Sequence, residues 1–430
     1  MKSTFVNYIC LGNFIIFQKK ILFSFTQLLF FEKSTLQNGL FKIYNVCKTD
    51  ADCGQGLNCF QCAAANATAP PICIRSLATP VSSFNTTLPF NQYAWITTHN
   101  SYAIVGVDPG LSSFNLAPRN QEDSVTSQLN NGVRGLMLDM YDFMNDIWLC
   151  HSYQGECYNF TAISPVNGTL TAIATFLAAN PTEVVSIFIE DYVHATNGLT
   201  NAFTKAGLMK YMFPLAKMPP DGGNWPTLDS MIASNERLLV FSSIESKQAT
   251  EGIAYQWNFV VENQYGSLLQ NCPNRAESQP MNTLSHSLVL ENYFPSGPNE
   301  SFACVDNSAD LLNVLGVCHR AAGNRWSNFV AVDFYMRCTG GGVFEAVDEL
   351  NGELECDCTD IHYCKAGNAP GVCVQSAPAP VGPRSPVPVT SAPPTPGAAS
   401  SPESNAAASL YSSTSFISLT LCLAILLVWH

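Results

Sequence analysis

Short apolar runs of strand length alternate with helical stretches from about Phe90 to Val332, and this alternation limits the fold more than any other feature. The strand-like runs are residues 93–97, 135–139, 147–150, 184–189, 238–241, 288–291 and 329–332. The run at 184–189 is almost wholly apolar and rich in β-branched residues, as in a strand covered on both faces. Between them, Leu170, Ile173, Ala174 and Leu177 recur at i, i+3, i+4, i+7, which predicts a helix over 169–179, stopped by Pro181. A shorter helix is predicted over 124–131, with Gly132 as its C-terminal cap. Strand, helix, strand sustained over this length predicts an α/β chain, a distorted TIM-type (β/α)8 barrel spanning 85–350.

Active sites of such barrels gather at the C-terminal ends of the strands. Four successive runs end in polar or ionisable residues: His99-Asn100, Asp139, His151 and Glu190-Asp191. A single such residue is ordinarily a loop polar group. Two runs ending in histidine and two ending in carboxylates on one rim form a chemical set. In-line cleavage of a phosphodiester needs one group to deprotonate the attacking hydroxyl and another to protonate the leaving oxygen, and imidazole titrates in the right range for both. Asn and carboxylate oxygens suit a hard cation such as Ca2+.

His99-Asn100-Ser101-Tyr102, the stretch Arg134-Gly135-Leu136-Met137-Leu138-Asp139, His151 and Ile189-Glu190-Asp191 follow the order of the phosphatidylinositol-specific phospholipase C X domain. The chain resembles the plant PLC-like phosphodiesterases in particular, including segments such as 120–124, 251–258 and 322–326, over roughly Cys47 to Cys373. The resemblance implies an enzyme of lipid metabolism that cleaves a phospholipid or inositol phosphodiester. His99 would be general base, His151 general acid, and Asn100, Asp139 and Glu190 the Ca2+ ligands. Met137 stands where calcium-dependent members place a further glutamate, so weak Ca2+ binding or none is the alternative. Asp333, at the end of the run 329–332, is expected either to orient His99 or to be a solvated strand end. Arg134 is a candidate phosphate contact, with a structural salt bridge as the plainer reading. Trp257, Glu262 and Tyr265 are candidates for a wall against a sugar or inositol ring, with core packing the alternative for the aromatics. Two rival functions remain: a catalytically weak, lipid-anchored surface-binding protein, and a hydrolase of glycerophosphodiesters that uses water as nucleophile.

The chain has 17 cysteines. Cys10 and Cys422 lie in terminal apolar segments, which leaves fifteen, an odd number consistent with a missing partner upstream of Cys47. So many cysteines favour disulfides in an oxidising compartment over a zinc site, despite the Cys59-x-x-Cys62 pair. The clusters at 46–80 and 351–375 are read as small cysteine-rich appendages. Sequons at Asn66, Asn85, Asn159, Asn167 and Asn299 point to glycosylation in the secretory pathway.

Both ends carry membrane-related signals. Residues 376–405 are rich in Pro, Ala, Ser and Thr and predict an extended stalk. Small residues around Ser404 and Asn405, a polar spacer and an apolar tail within 406–430 have the form of a GPI attachment signal. The other reading is a short tail anchor. Residues 1–45 include Lys19-Lys20 and an apolar run but no small-residue cleavage site, which leaves an uncleaved anchor or a misassigned start. The expected location is the extracellular face of the plasma membrane, GPI-anchored in the outer leaflet. A net charge of −13 argues against nucleic acid as a partner.

Overall fold

The computed structural model describes residues 42–80, 83, 85–266, 271–365 and 369–374. The N-terminal segment up to residue 41, the stalk and the attachment signal with Ser404 and Asn405 lie outside the described residues.

The N-terminal cysteine module is one antiparallel hairpin of β1 (Leu57–Phe60) and β2 (Ile72–Arg75). Such a ribbon buries too little to stand alone. Disulfides Cys47–Cys59 and Cys53–Cys73 close it, and Cys62–Cys304 ties it to the main body. Both members of the C-x-x-C pair are thus in disulfides. Arg75 reaches across to Asp348 and Thr79. Disulfides Cys356–Cys364 and Cys358–Cys373 hold the C-terminal cysteines. The odd cysteine among the described residues is Cys338, which is buried, and burial pushes its thiol up to about 12. Fourteen of the fifteen therefore pair among themselves, and Cys338 is the one left over.

The main body is built on β3 (Trp95–Thr98), β4 (Gly135–Phe143), β5 (Asp146–Cys150), β6 (Ala162–Pro165), β7 (Val185–Tyr192), β8 (Leu238–Ser242), β9 (Ala254–Tyr255), β10 (Val260–Glu262), β11 (Leu288–Tyr293) and β12 (Phe329–Val332). Eight of these run parallel in the order β10-β11-β12-β3-β4-β7-β8-β9. This is the expected barrel, distorted by one open seam: among the described residues, β9 and β10 are not paired. The predicted strand at 147–150 takes another place. It is antiparallel to β4 and pairs onward with β6, forming a flap off the barrel.

Register explains what fills the interior. Met137 pairs with Phe188, Phe188 with Phe241, Leu290 with Phe329, and Phe329 with Trp95. These side chains pack as one apolar cluster, with Phe188 stacked on Phe241 at 5.2 Å between ring centres and edge-on to Phe329 at 4.9 Å. Because strand side chains alternate, the next inward residue lies two positions on. After Met137 comes Asp139, after Phe188 Glu190, after Val260 Glu262, after Leu290 Asn292. The lining turns from apolar to ionisable in a single step, at the C-terminal end. The outward faces, among them Leu136, Leu138, Ile187 and Val330, meet helices that include Val166–Ala179, Ala309–Ala321 and Val343–Cys356. The predicted short helix is Val125–Asn130, N-capped by Ser124, and Gly132 follows at φ +101°, a conformation that favours glycine.

The sequon residues Asn66, Asn85, Asn159 and Asn299 are exposed and Asn167 is half-buried. Among the described residues, no helix is long and apolar enough to cross a membrane.

Glu291, on β11, is fully buried, accepts a 2.6 Å hydrogen bond from Ser327 and leaves its second oxygen unpartnered. Burial pushes its carboxyl up to about 7, against the pull of that hydrogen bond. A carboxyl raised on folding stabilises most below its unfolded pKa, and that contribution is lost as pH rises through the folded value. Glu291→Gln, which stays neutral, is therefore expected to raise the melting temperature at pH 8 by a few degrees and leave it nearly unchanged at pH 4.5. One pKa unit is worth about 1.4 kcal/mol. Thermal scans at the two pH values check this, and equal shifts at both would refute it.

Candidate active site

His99 follows β3 and Asp333 follows β12, and the parallel pairing of these two strands sets them side by side. His99 Nδ1 lies 2.9 Å from Asp333 Oδ1, and Asn120 Nδ2 donates to the same carboxylate oxygen at 2.9 Å. With Nδ1 donating to Asp333, His99 Nε2 is the ring's free acceptor. Phe294 stacks flat on the imidazole at 3.7 Å and 7°. The Gln121 side-chain amide donates to the carbonyls of His99 and Val332, locking the strand ends together. Nearly every freedom of the ring is removed.

His151 arrives differently. β4 continues into a hairpin and β5 comes back beside it, with Met140 opposite Leu149. The chain therefore leaves β5 at the level of Asp139. The Cys150–Cys157 disulfide closes the loop that follows, the His151 N–H donates to the Thr161 carbonyl, and Tyr102 donates its hydroxyl to the Cys150 carbonyl. His151 Nδ1 is buried without a hydrogen-bond partner. Burial, and then the charge of His99, hold the His151 pKa below the ordinary histidine value, while Glu190 works the other way.

Asp139 and Glu190 are register partners on β4 and β7. Asp139 is 8% exposed, and burial followed by the charge of Glu190 raises its pKa well above the carboxylate range; Tyr102 and Arg275 oppose the rise. Tyr192 donates to Glu190 Oε1 at 2.5 Å and stacks on Tyr141 at 4.2 Å. Asn100 is buried at φ +38°.

Arg275, in the loop between β10 and β11, was not anticipated. Its Nε bonds Glu277 Oε2 at 3.0 Å and its Nη1 bonds Glu262 Oε1 at 3.2 Å. The guanidinium lies 5.8 Å from the centre of the Trp257 ring and 5.6 Å from that of Tyr265. Trp257, Glu262 and Tyr265 thus converge on this arginine, and Tyr265 also stacks on Phe294 at 5.5 Å. Glu262 is fully buried and is held as well by Gln256 at 2.6 Å and Asn292 at 2.7 Å.

Arg134 does not join the cluster. It precedes β4, five residues from Asp139 along a strand that rises about 3.3 Å per residue. It bonds Glu183 at 2.8 Å and the carbonyls of Leu129 and Val133, so it serves the opposite end of the barrel.

The PI-PLC X 1 family model matches residues 88–351, which takes in every one of these side chains. The chain belongs to the PI-PLC X family. A PI-PLC X domain-containing protein of Arabidopsis thaliana is 48% identical over 345 residues, covering 79% of this chain and 80% of that one. An uncharacterized secreted protein of Arthroderma benhamiae is 27% identical, covering 62% of this chain and 64% of its own length. Among solved structures, the phosphatidylinositol-specific phospholipase C of Listeria monocytogenes aligns over 63% of this chain and 96% of its own at 15% identity, with a TM-score of 0.41. The seven disulfides among the described residues agree with a secretory, extracellular protein.

Proposed function

We propose that this PI-PLC X family member is a phosphodiesterase that acts on a phosphoinositide-like diester by paired histidine catalysis. The supporting observation is His99, aligned by Asp333 and Asn120 and clamped by Phe294, within electrostatic reach of a second, half-buried histidine. His99 Nε2 takes the proton of the inositol 2-hydroxyl as its oxygen attacks phosphorus. The bond from phosphorus to the diacylglycerol oxygen breaks, and His151 gives that oxygen a proton. The product is a cyclic inositol phosphate, and water opens it if it stays bound, with the two histidines exchanging roles.

The site then sits on the extracellular side, attached through a GPI anchor at Ser404 or Asn405. The small-residue site, spacer and apolar tail are what support this placement.

The test is product analysis on the full chain secreted from a eukaryotic host, incubated with phosphatidylinositol vesicles and with glycerophosphoinositol. Phosphorus NMR is expected to show the cyclic phosphate first and the monoester later. A monoester appearing directly would replace the inositol hydroxyl by water as nucleophile. No turnover on either substrate from folded protein would favour the surface-binding reading.

A further inference from the structure

A divalent cation and a guanidinium can do the same electrostatic work on a phosphoryl group, and the rim contains the second in a finished state. Ca2+ takes six to eight oxygen ligands. Asn100, Asp139 and Glu190 together offer fewer, and the position one layer below Asp139 is Met137, packed against the apolar interior. One Glu190 oxygen already accepts from Tyr192, and the other faces Arg275 Nη2 at 3.8 Å. The donor set fits a calcium ion poorly because a cation of the protein's own stands beside it.

We propose that Arg275 is the resident cation of this site, and that it clamps the phosphoryl oxygens of a polyol phosphodiester without a divalent metal. The inference rests on the phosphodiesterase reading for its ligand class. Two of the three guanidinium nitrogens are tied down by Glu277 and Glu262. The third, Nη2, makes no hydrogen bond among the described residues and lies on the Glu190 side, toward Asp139. The ring faces of Trp257 and Tyr265 fix the plane of the group. The side chain is 16% exposed, so it keeps a face toward solvent while most of it is withdrawn from water. Burial alone lowers an arginine pKa, yet the charges of Glu262, Glu190 and Glu277 outweigh it and hold Arg275 protonated. An anchored donor pair with one free edge is preorganised for phosphate, so little order is lost when charge develops on the non-bridging oxygens.

The test joins a binding readout to a kinetic one, on the full secreted chain. Calorimetry with myo-inositol 1-phosphate in chelator is expected to show binding by wild type, a loss of at least thirtyfold in Arg275→Gln, and an intermediate affinity in Arg275→Lys, which keeps the charge. Turnover of phosphatidylinositol is expected to be unchanged by chelator in wild type and about 100-fold lower in Arg275→Gln, the usual cost of removing one preorganised donor. Should Arg275→Gln fail to fold, the lysine variant decides: affinity equal to wild type would refute a geometric clamp. Wild-type turnover lost in chelator and restored by Ca2+ would overturn the proposal, as would undiminished inositol phosphate binding by Arg275→Gln. If no substrate is turned over at all, the phosphodiesterase reading fails, and the calorimetry still judges Arg275.

Discussion

His151→Ala is expected to lower kcat/KM about a thousandfold, His99→Ala to do the same, and the double variant to be scarcely worse than either. General acid and general base each contribute roughly 100- to 10,000-fold, and groups that act on one proton-transfer step are not additive. Asp333 and Asn120 serve His99 rather than the substrate. His151 sits at the end of a closed loop with its Nδ1 unpartnered. Steady-state kinetics on the three variants, with thermal scans to show folding, test this. A single variant that keeps a tenth of the activity would sink the paired mechanism.

The same pair predicts a pH signature. As general acid, His151 must be protonated, and its pKa is held below the ordinary histidine value by burial and by the charge of His99. In free enzyme, kcat/KM therefore falls tenfold per pH unit once pH passes that lowered value. A bound phosphodiester is an anion and favours the imidazolium. The limb in kcat should accordingly lie at higher pH than the limb in kcat/KM. Coincident limbs, or a rate flat from pH 6 to 8, would remove His151 from the role of acid.

Legibility differed from element to element for physical reasons. The run at 329–332 became β12 residue for residue, because a strand covered on both faces has no polar interruption to blur its ends. The run at 147–150 was as apolar, yet it entered the flap. Apolar length records burial; it does not record which way a neighbouring strand runs. β9 and β10, of two and three residues, carry no periodicity at all. In the site, the strand-end rule found His99, Asp139, His151, Glu190 and Asp333, since each is the first ionisable residue at the end of its run. Arg134 failed that rule in retrospect: it stands before its strand, so it belongs to the other end of the barrel. Arg275 obeys no strand rule. Its position comes from a loop pinned by Cys272–Cys318 and from carboxylates contributed by β7 and β10, which only the assembled barrel brings together.

Opening the Cys62–Cys304 disulfide should have the largest effect on stability. The bridge closes a loop of 242 residues, against 7 for Cys150–Cys157 and 8 for Cys356–Cys364. By chain entropy a loop of that length is worth about 5 kcal/mol, and loops of 7 or 8 residues about half as much. Spread over the described residues, 5 kcal/mol corresponds to a fall of roughly 7 °C in melting temperature. Cys62→Ala, Cys304→Ala and the double variant should all show that fall, since each breaks the same bond. The consequence extends to the site. Cys304 lies in the short helix Ala303–Asp306, and the next residue, Asn307, donates to the Asp333 carbonyl at 2.8 Å. Loosening that helix releases the backbone that holds the carboxylate on His99. Activity should therefore be lost on heating before the barrel melts in the variants, whereas in wild type the two losses coincide. Coincident losses in the variants as well would show that the hydrogen bonds around Asp333 suffice without the bridge.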